Sequence, residues 1–126
     1  MKVLTVKEPW ASLIINGYKM YEFRSWKTKY RGKILIHAGM TLEKDMAERF
    51  SSYNLNYYKG EIIGEATLVD CILVDEEFNK KLHDINPFVY GRSNHVETYA
   101  WKLENICKYD QPIKVKGKLG LWNYEK

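Results

Sequence analysis

At 126 residues the chain has the size of one domain built on one core. An apolar share of 45% and a charged share of 29% are those of an ordinary globular protein and exclude a disordered or fibrous class. The net charge of +4 suits a polyanionic partner if it is localised, and no apolar run approaches the roughly 18 residues that cross a bilayer.

The N-terminus MKVLTVKEPW has no signal-peptide pattern, so a cytoplasmic protein without a membrane partner is expected. Cys71 and Cys107 are isolated and the three histidines lack metal-ligand spacing, so no disulfide framework, metal site or cofactor is expected.

Lys2 to Val6 alternates as a short strand. Glu8 and Pro9 open a helix in which Trp10, Leu13 and Ile14 share a face, and Gly17 stands where a left-handed C-cap is wanted. Tyr21 to Arg24 reads as a strand, with Tyr21 and Phe23 on one side and Glu22 and Arg24 projecting together on the other. Ser25 to Tyr30 is a loop, and Arg31 and Gly32 turn into an apolar strand over Ile34 to Ala38 that ends at His37 and Ala38. Thr41 can cap a second helix whose buried stripe is Leu42, Met46 and Phe50.

Tyr53 to Gly60 is a connection, followed by a long strand from Glu61 to Val74 with a bulge or bend at Gly64. Asp75 can cap a short helix through Leu82, and residues 83–98 read as a loop. Strand patterns return over Tyr99 to Leu103 and Ile113 to Lys116, and Trp122 anchors the tail. The order is α+β, one unit of five or six strands, and a long glycine-kinked strand among short ones favours a small, partly closed barrel with short helices at its ends.

The stretch Gly17 to Lys33 concentrates the chemistry. It holds six basic residues, five aromatics and one acid, Glu22. Cations interleaved with aromatics can neutralise phosphates while offering flat faces to bases. A solvated charged edge with its aromatics turned inward has the same composition.

The runs EPWASLIINGYKMYEFRSW, YRGKILIHAG, IIGEATLVDC, YAWKLEN and PIKVKGKLGLW together resemble the ASCH domain, the activating-signal-cointegrator homology domain of the PUA-like superfamily. The resemblance implies a PUA-like β-barrel with a cleft lined by a G-x-K-x-x-E-x-R signature, here Gly17, Lys19, Glu22 and Arg24. It also implies RNA or a nucleotide as ligand. One branch of such proteins is an amidohydrolase acting on N4-acetylcytidine, and a ribonuclease activity is assigned to another, so fold alone leaves the function open.

On the binding reading, Lys19 and Arg24 contact phosphate or base, and Glu22 accepts from an exocyclic amine or pairs with Arg24. Trp26 and Tyr30 stack on bases or pack in the barrel, while Lys27, Thr28, Lys29 and Arg31 form a salt-sensitive rim. On the hydrolase reading, Lys19 has Glu22 three residues on, where the resemblance implies a threonine nucleophile. A carboxylate there is no hydroxyl nucleophile and raises the lysine pKa. The acidic partner would be Glu65 or Asp70, and Ser25 and Thr28 are the nearest hydroxyls. A protein partner becomes the better reading if Trp10, Trp26 or Trp122 forms an exposed apolar patch. Lys108, Lys114, Lys116 and Lys118 can extend the basic track if the last strand lies beside the first.

Overall fold

The computed structural model describes residues 1–91 and 94–125. Six strands form a single mixed sheet in the order β2-β5-β4-β3-β1-β6. They are β1 (Lys2–Glu8), β2 (Tyr21–Arg24), β3 (Gly32–Leu42), β4 (Glu61–Leu73), β5 (Tyr99–Lys114) and β6 (Leu121–Asn123). β1 runs parallel to β3, and the other pairs are antiparallel. Among the described residues no helix is long and apolar enough to cross a membrane.

The expected barrel is an open sheet. Its end strands, β2 and β6, are 4 and 3 residues long and form no ladder with each other. The gap is spanned by side chains instead. Arg24 on β2 donates from Nη2 to the Thr5 carbonyl of β1 at 2.8 Å, and Trp26 lies against Gly120 just before β6.

α1 (Trp10–Ile15) lies on one face of the sheet, and Ala11, Ile14 and Ile15 pack with residues of β1, β3, β4 and β5 in the largest buried cluster. Gly64 makes this approach possible: a Cβ there would stand 2.5 Å from the Cys107 carbonyl and 2.7 Å from Ile15 Cδ1. The expected irregularity at Gly64 is a register shift in both flanking ladders. Glu8, buried just before α1, accepts from Ser12 N–H at 2.8 Å and Ser12 Oγ at 2.6 Å, which satisfies an otherwise orphaned first-turn amide.

α3 (Glu76–Ile85) and α4 (Pro87–Tyr90) bring Leu82, Val89 and Tyr90 into a second cluster with Leu13 and Phe50. A third cluster of Val3, Leu35, Ile62 and Trp122 holds β6 to β1.

Several boundaries differ from the expectation. Thr41 caps no helix, because β3 stays paired with β1 as far as Leu42, across a register shift between Val6 and Glu8; Glu43 precedes α2 (Lys44–Arg49), none of whose residues is buried. The two late strands are one. Its ladder with β4 absorbs the polar segment around Tyr109 to Pro112 as a bulge between the Gly64↔Lys108 and Ile62↔Ile113 pairs. The loop expected over 83–98 contains the end of α3 and all of α4, started by Asn86, whose side chain accepts from Phe88 and Val89 N–H at 3.1 Å. Residues 92 and 93 of that range lie outside the described residues.

Candidate functional site

The site begins where α1 stops. Gly17 takes φ +84, its N–H donates to the Ile14 carbonyl at 3.0 Å, and Tyr18 N–H reaches Leu13 at 2.9 Å. This Schellman pair closes the helix and turns the chain back. Lys19 N–H also donates to Leu13, at 3.1 Å, so the backbone that carries the lysine is fixed, and its side chain is buried. β2 then pairs with β5 at Glu22↔Trp101 and Arg24↔Tyr99, and the two-residue strand period puts Glu22 and Arg24 on one face.

These three side chains converge. Lys19 Nζ lies 2.7 Å from Glu22 Oε1, and Arg24 Nη2 lies 3.0 Å from Glu22 Oε2. Lys19 Nζ also sits 5.1 Å from the Phe23 ring centre and 5.5 Å from that of Trp10, a cation flanked by two aromatic faces. Trp10 is held by its indole N–H, which donates to Glu43 Oε2 at 2.7 Å. His95 stacks on Phe23 at 3.8 Å with the rings 9° from parallel.

Burial pushes the Lys19 ammonium below its ordinary value, and the neighbouring Glu22 only partly restores it. Burial pushes the Glu22 carboxyl up, but Lys19 and then Arg24 outweigh it and hold the group below the usual carboxylate range. Desolvation, followed by the Lys19 charge, pushes His95 down to about 4, so its ring is neutral at pH 7. The carboxylate does raise the lysine pKa, as expected from the sequence, but burial wins and the net direction is down.

Lys19, Glu22 and Arg24 line a cleft of about 760 Å³ together with Trp10, Phe23 and Trp26. Lys7 and Lys118 border it, as does Glu43, so its lining holds four basic and two acidic side chains. Arg24 Nε is buried and has no hydrogen-bond partner among the described residues. Among those residues no group of three or more His, Cys, Asp and Glu side chains could hold a metal ion.

The ASCH domain family model matches residues 4–115. The chain belongs to the ASCH domain family. This ASCH domain is 32% identical to human activating signal cointegrator 1 over 98% of its own length and 25% of the relative's. It is also 32% identical to the mouse protein, over 97% and 22%. It thus spans about a quarter of the length of these curated relatives. A crystal structure of ASCH from Zymomonas mobilis superposes with a TM-score of 0.65 at 17% identity, covering 99% of this chain and 87% of that one, and so shares the fold. A mutant of the same Zymomonas mobilis protein gives 0.54 at 19% identity, covering 90% and 74%.

Of the residues singled out in the sequence of this ASCH domain, Trp10, Lys19, Glu22, Arg24, Ser25, Trp26 and Lys118 line the cleft. Trp26 is 37% exposed and stands edge-on to Trp101 with ring centres 4.8 Å apart, while Trp10 is half-buried and Trp122 buried. Lys27 and Lys29 are exposed outside the cleft, and Thr28 Oγ1 accepts from Tyr30 N–H at 3.1 Å. Tyr30 donates its hydroxyl to the Lys33 carbonyl at 2.7 Å, and Arg31 bonds the carbonyls of Thr28 and Tyr30.

Neither candidate acid on the long strand of this ASCH domain reaches the cleft: Glu65 pairs with Lys33 at 2.9 Å, and Asp70 is exposed near Arg31. His37 packs inside the sheet, with Nε2 donating to the Val115 carbonyl at 2.7 Å. Phe23, Glu43 and His95 are not legible in the sequence as site residues, and Trp10 is so only as part of an apolar patch for a protein partner. Trp10 and Phe23 carried the signature of core positions, and His95 reaches the site only through the packing of α3 and α4 against β2.

Proposed function

We propose that this ASCH domain binds single-stranded RNA or a nucleotide in the cleft, with Arg24 and Lys19 facing phosphate or base and Trp26 offering a stacking face. The reading is supported above all by Arg24. It lines the cleft with Lys7, Lys19 and Lys118 and its guanidinium can fork onto a phosphate, while its Nε, buried without a partner among the described residues, costs about 1–3 kcal/mol that is recovered if the side chain turns to meet an acceptor. The cleft volume lies within the roughly 300–1,000 Å³ common for small-ligand sites. Each Glu22 oxygen accepts from one cation, which leaves lone pairs for an exocyclic amine and gives the acid a role in base selection.

Titration of the domain with a labelled single-stranded RNA at low salt tests this. Binding is expected to weaken with salt at a slope of about −2, as for some three phosphates neutralised, and Arg24→Ala is expected to weaken it at least about tenfold. Undiminished binding by Arg24→Ala removes the cleft as the site.

One observation favours a hydrolase of an acylated cytidine. Burial lowers the Lys19 pKa, the direction a general base needs, and Ser25 supplies a hydroxyl at the cleft wall. Release of cytidine from N4-acetylcytidine, abolished by Lys19→Ala, would move the assignment to that chemistry.

A further inference from the structure

Met40, 72% exposed, belongs to the wall of two hollows at once, the cleft and a second groove of about 660 Å³. The second groove is basic: Lys59, Lys114 and Lys116 line it, beside the buried His37. A single segment borders both hollows, since Lys114 to Gly117 edge the groove and Lys118 to Gly120 edge the cleft.

Most of this segment has no regular secondary structure, yet it is pinned at Val115 and Gly117. Val115 N–H donates to the Gly60 carbonyl at 3.1 Å, and the Val115 carbonyl accepts from His37 Nε2 at 2.7 Å. A Cβ at Gly117 would stand 2.7 Å from His37 Cε1 and 2.8 Å from Thr5 Oγ1, so only glycine lets the chain lie this close to β1 and β3. The segment is therefore a fixed strap that presents Lys114, Lys116 and Lys118 at alternate positions. Among the described residues, neither these three lysines nor Lys59 form an ion pair.

We propose that the second groove continues the binding site, so that a single-stranded RNA seated in the cleft leaves it past Met40 and lays its following phosphates on Lys59, Lys114 and Lys116. This rests on the reading of the cleft given above and chooses within it a strand over a free nucleotide. Two hollows of like charge that share a wall and a rigid strap suit a continuous polyanion. A free nucleotide would leave the second set of cations unused.

The test compares a dinucleotide with an oligouridylate of about ten nucleotides, a length within the range that single-strand sites cover. The wild type is expected to bind the longer RNA at least about tenfold more tightly and with the steeper salt dependence. The variant K59A/K114A/K116A, altered only at exposed positions, is expected to lose that advantage and about 0.7 of salt slope per phosphate contact removed, while its dinucleotide affinity stays unchanged. If the longer RNA binds no better than the dinucleotide, or the triple variant keeps the full advantage, the extension is overturned and the cleft reading stands. If neither RNA binds the wild type, both fall together.

Discussion

Glu22 joins two cations in a place with little water. Breaking such a buried pair from one side leaves an uncompensated charge, so its removal costs far more than a surface ion pair would suggest. Glu22→Gln keeps the size of the side chain but leaves Lys19 buried without its counter-charge. It is expected to destabilise the fold by about 3 kcal/mol at pH 7, measured by urea denaturation. A loss below about 1 kcal/mol would mean that Lys19 sheds its proton or swings into the cleft. The same side chain holds Arg24, so RNA affinity is expected to fall with stability rather than independently of it.

At the scale of elements, the turn after α1 determines where the lysine goes. Gly17 has nothing within 4 Å of its absent Cβ, so Gly17→Ala tests backbone conformation alone. At φ +84 the substitution is expected to cost about 1 kcal/mol, read from the denaturation midpoint, and to weaken ligand binding by misplacing Lys19. An unchanged midpoint would show that the Schellman turn contributes nothing.

Elements with local signals were legible from the sequence: the Gly17 stop, β2 from Tyr21 to Arg24, and the Asp75 cap, whose side chain accepts from Phe78 N–H at 2.8 Å. Those set by pairing at a distance were not. Thr41 looks like a cap until β1 is present to hold it in a strand, and the polar KYDQP run looks like a loop until β4 pairs on both sides of it. For the site, strand period puts Glu22 and Arg24 together, and Lys19 joins them only through the signature that the family resemblance implies. His95 could not, because no local pattern records which ring its neighbour will be.

The whole molecule should respond to acid through the same site. His95 has a folded pKa of about 4 against an ordinary 6.5, so the unfolded chain takes up its proton first as pH falls. Its contribution is fully present above about pH 6.5 and is lost on the way to 4, a decline that solvent screening of the half-buried ring holds below the roughly 3 kcal/mol of the full shift. Glu22, with its folded pKa lowered from 4.5, continues the loss at still lower pH. His95→Phe retains a ring against Phe23 and cannot titrate, so the decline between pH 6.5 and about 5, above the range where Glu22 and Glu8 titrate, is expected to vanish. A wild-type slope that survives the substitution would assign the loss to other groups.

The open edge between β2 and β6 gives the cleft a property that a closed barrel would lack. Its walls meet at a seam, fastened by the Arg24 link to Thr5 and the contact of Trp26 with Gly120 rather than by a row of backbone bonds. Parting these two side-chain contacts would widen the cleft wall while every strand pair stays intact.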